Sequence, residues 1–208
     1  MEDVLDLYAE PYDPAKPTVC FDETSKQLIS ETCQSLPAQP GQVERYDYEY
    51  ERRGTRNLFV FFEPLAGQRH VKVTDHRTKQ DFAYCMQQLV DDVYADAEII
   101  RIVLDNLNTH KVAALYETFD APEANRIRKR LEFHYTPKHG SWLNMAEIEF
   151  SVFARQAWSG YIPDEQTLRQ NVQGLEDERN AVRATVNWCF TSQDARVKLH
   201  RLYPSFSD

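Results

Sequence analysis

The run I-I-R-I-V-L-D-N at residues 99–106 constrains this chain more than any other stretch. Its mostly branched apolar residues leave no polar face, so it reads as a strand buried on both sides, in a sheet flanked by helices. Asp105 then emerges at its C-terminal end, where open α/β sheets bind ligands. Asn106, a turn-former, follows at once.

The rest of the chain arranges itself around that strand. Residues 1–16 carry a short helical pattern and then spaced prolines, Pro11 and Pro14 with Pro17 just beyond, which reads as a linker. T-V-C-F-D-E after Pro17 predicts a strand with Asp22 near its end, and residues 37–41 (P-A-Q-P-G) predict an exposed loop. Residues 57–63 and 69–75 form a predicted hairpin. Apolar spacing predicts helices over 81–94, 111–119, 122–130 and 143–158, the third with Pro122 in its first turn. Residues 131–136 predict a further strand. Asp164 opens a last long helix with apolar positions at Leu168, Val172, Leu175, Val182 and Val186. Five strands with interspersed helices predict an α/β fold, a mixed sheet with helices packed on it.

A chain of 208 residues suits one domain. No apolar run is long enough to span a bilayer and no charged-then-apolar leader opens it, so a cytoplasmic protein is expected. Cys20, Cys33, Cys85 and Cys189 are scattered without a C-x-x-C pair, which favours reduced thiols. The net charge of −9 argues against a simple nucleic-acid-binding module. A site holding divalent cations is the exception, because the ions supply the missing positive charge.

Three acids stand out by position: Asp22 and Asp105 at strand ends, and Glu147 in the first turns of the 143–158 helix. Two ions about 3.5–4 Å apart can serve both sides of a phosphodiester under attack. Magnesium or manganese takes oxygen ligands and keeps several waters, so three carboxylates suffice. Crowded without a cation, they would repel or take up protons. Each has an ordinary alternative. Aspartate at a strand end is commonly a turn residue. Asn144 and Glu147 would make a capping box, with Asn144 as N-cap and Glu147 reaching back. Glu149, two residues on, points about 200° round the helix, so only one of the two glutamates can join the site.

F-D-E at 21–23, D-N-L-N-T-H at 105–110 and Y-T-P-K-H-G-S-W-L-N-M-A-E at 135–147 resemble the DDE-type transposases, in the bacterial insertion-sequence branch of the mariner-like superfamily. The resemblance implies a ribonuclease-H-like mixed five-stranded sheet flanked by helices, with the strands of Asp22 and Asp105 side by side. It implies the triad Asp22, Asp105 and Glu147 as catalytic residues and metal ligands, with two Mg2+ or Mn2+ ions per site. It favours Glu147 over Glu149, because Glu147 ends the L-N-x-x-E segment. The implied activity is metal-dependent cleavage of double-stranded DNA at element ends, then strand transfer into target DNA, by a homodimer associated with the nucleoid. It divides the chain into a linker, 1–16, from an absent DNA-binding region, and a catalytic domain, 17–208. The alternatives are a catalytically silent DNA- or protein-binding remnant, or another ribonuclease-H-like nuclease.

Other polar residues are candidates for DNA contact. His110 could meet a phosphate, orient an acid or cap a helix. Lys138 and His139 precede the Glu147 helix in a turn. Arg52, Arg53 and Arg56, with Arg45 and nearby tyrosines, could touch DNA or simply decorate an edge hairpin. The run Arg126, Arg128, Lys129 and Arg130 reads as a phosphate contact or a solvated helix end. His134 and His139 lack the spacing of a zinc site.

Overall fold

The computed structural model describes residues 1–32, 39–43 and 49–203. Five strands, β1 (Thr18–Glu31), β2 (Tyr50–Glu63), β3 (Gln68–Thr74), β4 (Ile100–Leu104) and β5 (Leu131–Tyr135), form one sheet in the order β3-β2-β1-β4-β5. The first three pair antiparallel, and β4 and β5 extend the sheet in parallel from β1. This mixed sheet, with helices on it, has the ribonuclease-H-like arrangement expected.

The helices are α1 (Glu2–Tyr8), α2 (Lys79–Gln88, continued by a π turn Leu89–Val93), α3 (Ala113–Thr118), α4 (Ala121–Lys129), α5 (Ala146–Gln156), α6 (Glu165–Ala181) and α7 (Ser192–Lys198). Alternation along the strands decides which layer each side chain joins. Val19 and Phe21 of β1, with Ile100, Ile102 and Leu104 of β4, meet α2, α3 and α4. Leu58 and Val60 of β2, with Val71 and Val73 of β3, meet α5 and α6. Cys20 and Val103 turn from α2 into a third cluster with α1, Leu143 and Met145. β4 is therefore buried on both faces, as its composition predicts.

Local chemistry sets the helix starts. Thr78 and Asp81 form a reciprocal capping box on α2, so Asp81 is the third helical residue and not the cap. Asp120 caps α4 ahead of Pro122, and Asp164 caps α6.

Three expectations change. β1 runs nine residues past Asp22, to Glu31, and β2 begins at Tyr50. The two continue beyond β3 as a ribbon, with a bulge between Gln27 and Ile29. Its outer residues are mostly solvated, so they lack the apolar alternation that marks a covered strand. Residues 2–8, read within a linker, form α1, whose Val4, Leu5, Leu7 and Tyr8 are buried in the third cluster. α6 stops at Ala181, leaving Val182 exposed, and Val186 packs on that same cluster beyond the helix. The tail folds into α7, which buries Ala195 against α1.

Cys20, Cys85 and Cys189 are free thiols. Cys33 and Arg45, and part of the loop read at 37–41, lie outside the described residues. Among the described residues, no helix is long and apolar enough to cross a membrane.

Candidate active site

β1 and β4 place the first two acids side by side. Their parallel register runs to Cys20 against Val103, and two further residues on each strand bring Asp22 beside Asp105. Asp105 follows the last residue of β4, as expected. Asp22 does not end its strand: it pairs across β1–β2 with Val60. What ends at that level is β4, and the missing neighbour opens a gap at the sheet's end. Asp22 shares the face of Cys20, so it points to the side carrying the start of α5. Only 9% of the residue is exposed.

Asn144 closes over Asp22. Its Nδ2 donates to the Phe21 carbonyl at 2.8 Å and to Asp22 Oδ2 at 3.2 Å, while its Oδ1 accepts the Ala146 N–H at 3.2 Å. The second Asp22 oxygen accepts the Glu23 N–H at 2.8 Å. The approach to α5 is pinned from below by Tyr8, whose hydroxyl donates to the Leu143 carbonyl at 2.8 Å.

α5 begins at Ala146, after a 3-10 turn at Ser141–Leu143, and its N-cap residue Met145 makes no side-chain cap bond. The alternative reading, a capping box between Asn144 and Glu147, is not formed, because the Asn144 amide is committed to β1. Glu147 is exposed at the start of the helix. Glu149 points the other way, as helical geometry requires. Fully buried, it pairs with Arg69 at 3.1 Å and Arg179 at 2.9 Å. That buried ion group ties α5 to β3 and α6, and it removes Glu149 from the candidate site.

His110 does not reach the surface. It is 1% exposed, so it has no face to offer a phosphate. Its Nδ1 lies 2.5 Å from Asp105 Oδ1, and its Nε2 lies 2.7 Å from Glu23 Oε2. Burial opposes charge on the ring, but the two carboxylates outweigh it and raise its pKa to about 9. Glu23 was missed as a member of this group. Strand alternation is the signal that finds it: beside Asp22, it must face the opposite layer.

Asp105 and Asn106 also line a cavity of about 540 Å³, whose other wall includes Thr136, Pro137, Lys138 and His139. Gly140 closes that turn where a Cβ would stand 2.6 Å from the Pro137 ring, and His139 adopts φ 64°, unusual for a side-chain-bearing residue. Lys138 and His139 are exposed beside Asp105. Arg52, Arg53 and Arg56 stand elsewhere, on the ribbon. Arg56 is in register with Lys26 and Arg52 with Ile29, which at ~3.3 Å per residue puts them roughly 13 and 23 Å along β1 from Asp22. Arg56 pairs with Glu165 at 2.6 Å and Arg53 with Glu51 at 2.8 Å. In the basic run, Arg126 binds Asp91 and Glu123, while Arg130 donates to the carbonyls of Tyr94, Ala95 and Ala97. Both have structural work. His134 bonds Asp3.

Charge is crowded at Asp22. Burial first, then the carboxylates of Glu23, Asp105 and Glu147, raise its pKa to about 7 against the pull of the Glu23 N–H. All three acids of the expected triad therefore share one electrostatic neighbourhood. Their donor chemistry, oxygens only, fits a hard divalent cation. Among the described residues, however, no group of three His, Cys, Asp or Glu side chains is arranged as it stands to hold a metal ion. Asp22 is held by Asn144 and Asp105 by His110, while Glu147 stands free at the helix surface.

A family model described as DDE superfamily endonuclease matches residues 17–169. No curated protein matches the sequence. Among solved structures, "Crystal structure of the Mos1 mariner paired end complex with Mn" is similar at 12% identity and a TM-score of 0.36, covering 88% of this chain and 60% of that one. "Mos1 transposase paired-end complex with left transposon end" is similar at 13% identity and a TM-score of 0.31, covering 83% of this chain and 56% of that one. Both likenesses are remote, and this chain spans under two thirds of either. The family match covers all three motifs and most of the folded body: the chain belongs to the DDE superfamily endonucleases.

Proposed function

We propose that this chain is the catalytic domain of a transposase, cutting double-stranded DNA at the ends of a mobile element and joining the freed 3′-hydroxyl to target DNA. Asp22, Asp105 and Glu147 are its catalytic carboxylates. The observation that carries the reading is Asp22 itself: a buried aspartate beside Asp105, with its pKa raised to about 7 by burial and by the charges of Glu23, Asp105 and Glu147. A protein does not gather that much negative charge for stability, since like charges at close range destabilise the folded state.

Asp22, Asp105 and Glu147 would hold Mg2+ or Mn2+, two ions per site. When bound, such ions supply positive charge for both the attacking and the leaving oxygen of a phosphodiester. The chain's own residues set the geometry. β1 and β4 fix two carboxylates at the sheet's end, Asn144 orients Asp22, and exposed Glu147 completes the site by side-chain rotation at the start of α5. Lys138 and His139, across the cavity from Asp105, lie where a phosphate backbone would approach. Arg52 and Arg53 on the ribbon would meet DNA further out or the partner subunit of a homodimer acting on two ends.

The test is nicking of a supercoiled plasmid in Mn2+, with Mn2+ binding measured in parallel. The expected result is metal-dependent nicking that Asp105→Asn abolishes while the circular-dichroism spectrum is kept. Cutting at the parent's rate by that variant would end the reading. One alternative is a silent DNA- or protein-binding remnant, consistent with there being no ready-made three-residue metal group among the described residues. A parent that neither binds Mn2+ nor nicks DNA, yet still binds DNA, would favour it over the catalytic reading.

A further inference from the structure

We infer that His110 is a positioning residue that fixes the rotamer of Asp105 and leaves it a single oxygen, Oδ2, for the site, with Glu23 as the buried counter-anchor of His110. The inference rests on the proposed function of Asp105 and extends it to two residues outside the triad.

Asp105 needs such a hold. β4 ends at Leu104, so Asp105 has no strand partner beyond it, and residues 106–108 are exposed. Its one contact to its own loop is long, the Leu107 N–H to Oδ1 at 3.4 Å. A carboxylate with that little restraint samples several rotamers. His110 removes the freedom from the buried side, with Nδ1 at 2.5 Å from Oδ1.

His110 is itself immobilised. Its ring stands edge-on to Phe21, at a centroid distance of 5.3 Å, and lies tilted against Phe82 at 5.1 Å. Its carbonyl accepts the Tyr135 hydroxyl at 2.9 Å, and its N–H donates to Leu107 O at 3.1 Å. The far nitrogen, Nε2, lies 2.7 Å from Glu23 Oε2. Glu23 is on the α2 side of β1 and Asp22 on the α5 side, so Glu23 cannot turn to the site without crossing the sheet. It anchors the ring from behind and is not a fourth ligand.

Substitution can separate the two ring nitrogens. Asparagine at 110 places an N–H near the position of Nδ1, and glutamine places one near Nε2. The measurements are Mn2+ affinity by titration calorimetry without DNA, and kcat and KM for plasmid nicking in Mn2+, on purified full chains with folding checked by circular dichroism. His110→Gln and His110→Ala are expected to weaken Mn2+ binding and lower kcat by about 10–100-fold, as loss of a ligand-orienting partner does, with the plasmid KM unchanged. His110→Asn should restore most of both. Glu23→Gln should cost less than Asp105→Asn in both measurements.

Equal Mn2+ affinity in the parent, His110→Gln and His110→Ala would overturn the inference, as would equal losses in His110→Asn and His110→Gln. A Glu23→Gln loss as large as that of Asp105→Asn would make Glu23 a ligand and overturn its anchoring role. In each case a parent that binds Mn2+ and nicks DNA leaves the proposed function standing. A parent that does neither takes both down.

Discussion

Replacing Asp22 with asparagine should make the metal-free protein more stable while making it inactive. Because burial and three nearby carboxylates raise the Asp22 pKa from 3.8 to about 7, folding with Asp22 ionised costs free energy. At about 1.4 kcal/mol per pH unit, the cost above pH 7 is on the order of 4 kcal/mol. An amide in place of the carboxylate would remove the charge and keep an oxygen for the Glu23 N–H. It would also turn an N–H donor towards Asn144 Nδ2, which now donates to Asp22 Oδ2 at 3.2 Å. Asn144 cannot flip to oblige, because its amide already serves Phe21 O and the Ala146 N–H. That mismatch costs about 1–2 kcal/mol, leaving a net gain of roughly 2–3 kcal/mol.

The sign with pH follows from proton binding. Between pH 4 and pH 7 the folded state holds a proton on Asp22 that the unfolded chain has released, so the parent's stability falls as pH rises through this window. Below pH 4 both states are protonated and the penalty vanishes. The advantage of Asp22→Asn should therefore be full at pH 8, vanish near pH 5 and turn into a deficit of about 1–2 kcal/mol at pH 4, where only the mismatch remains. Urea denaturation in EDTA across that range measures it. At pH 8 the gain corresponds to a rise in Tm of roughly 5–10 °C for a chain of this size. A variant no more stable than the parent at pH 8, or equally favoured at pH 4 and pH 8, would refute the picture of a crowded, desolvated carboxylate.

The two glutamates of α5 should separate cleanly. Glu147→Gln, at an exposed position, should change stability by less than about 0.5 kcal/mol and abolish nicking. Glu149→Gln should cost about 3–5 kcal/mol by leaving buried Arg69 without its partner, yet nick at the parent's rate at temperatures where it stays folded; paired urea melts and plasmid assays decide. Gly67, between β2 and β3, has φ +66°, and a Cβ there would stand 2.5 Å from the Arg183 backbone carbon. Gly67→Ala should lose about 3 kcal/mol, and thermal melts showing no loss would contradict that contact.

What the sequence disclosed, and what it hid, divides along physical lines. Residues 99–104 announced a doubly buried strand because branched apolar side chains fill both its faces, and Asp105 then stood out as a change in chemistry. The ribbon half of β1 gave no such sign. S-K-Q-L-I-S-E is mostly polar because its strand pairs with β2 alone and is only partly covered, with Leu28 its one fully buried side chain, and in such a segment only pairing with a distant stretch makes a strand. α1 showed as a short helical pattern but was assigned to a linker, because seven residues do not reveal what they pack against; what holds them is burial against Leu143, Met145 and Cys20.

The same division explains the site. Helical period alone showed that Glu147 and Glu149 face different ways, but not which one faces the sheet's end. That choice depends on Arg69 and Arg179, about 80 and 30 residues away along the chain, whose pairing with Glu149 turns Glu147 outward. Asn144 shows the limit of local rules. By sequence it is a good N-cap, and it does accept the Ala146 N–H, yet its amide reaches across to Asp22. A side chain that can satisfy either its own helix or a neighbouring strand is assigned by tertiary contact, and this one couples the start of α5, which carries the third acid, to the strand that carries the first.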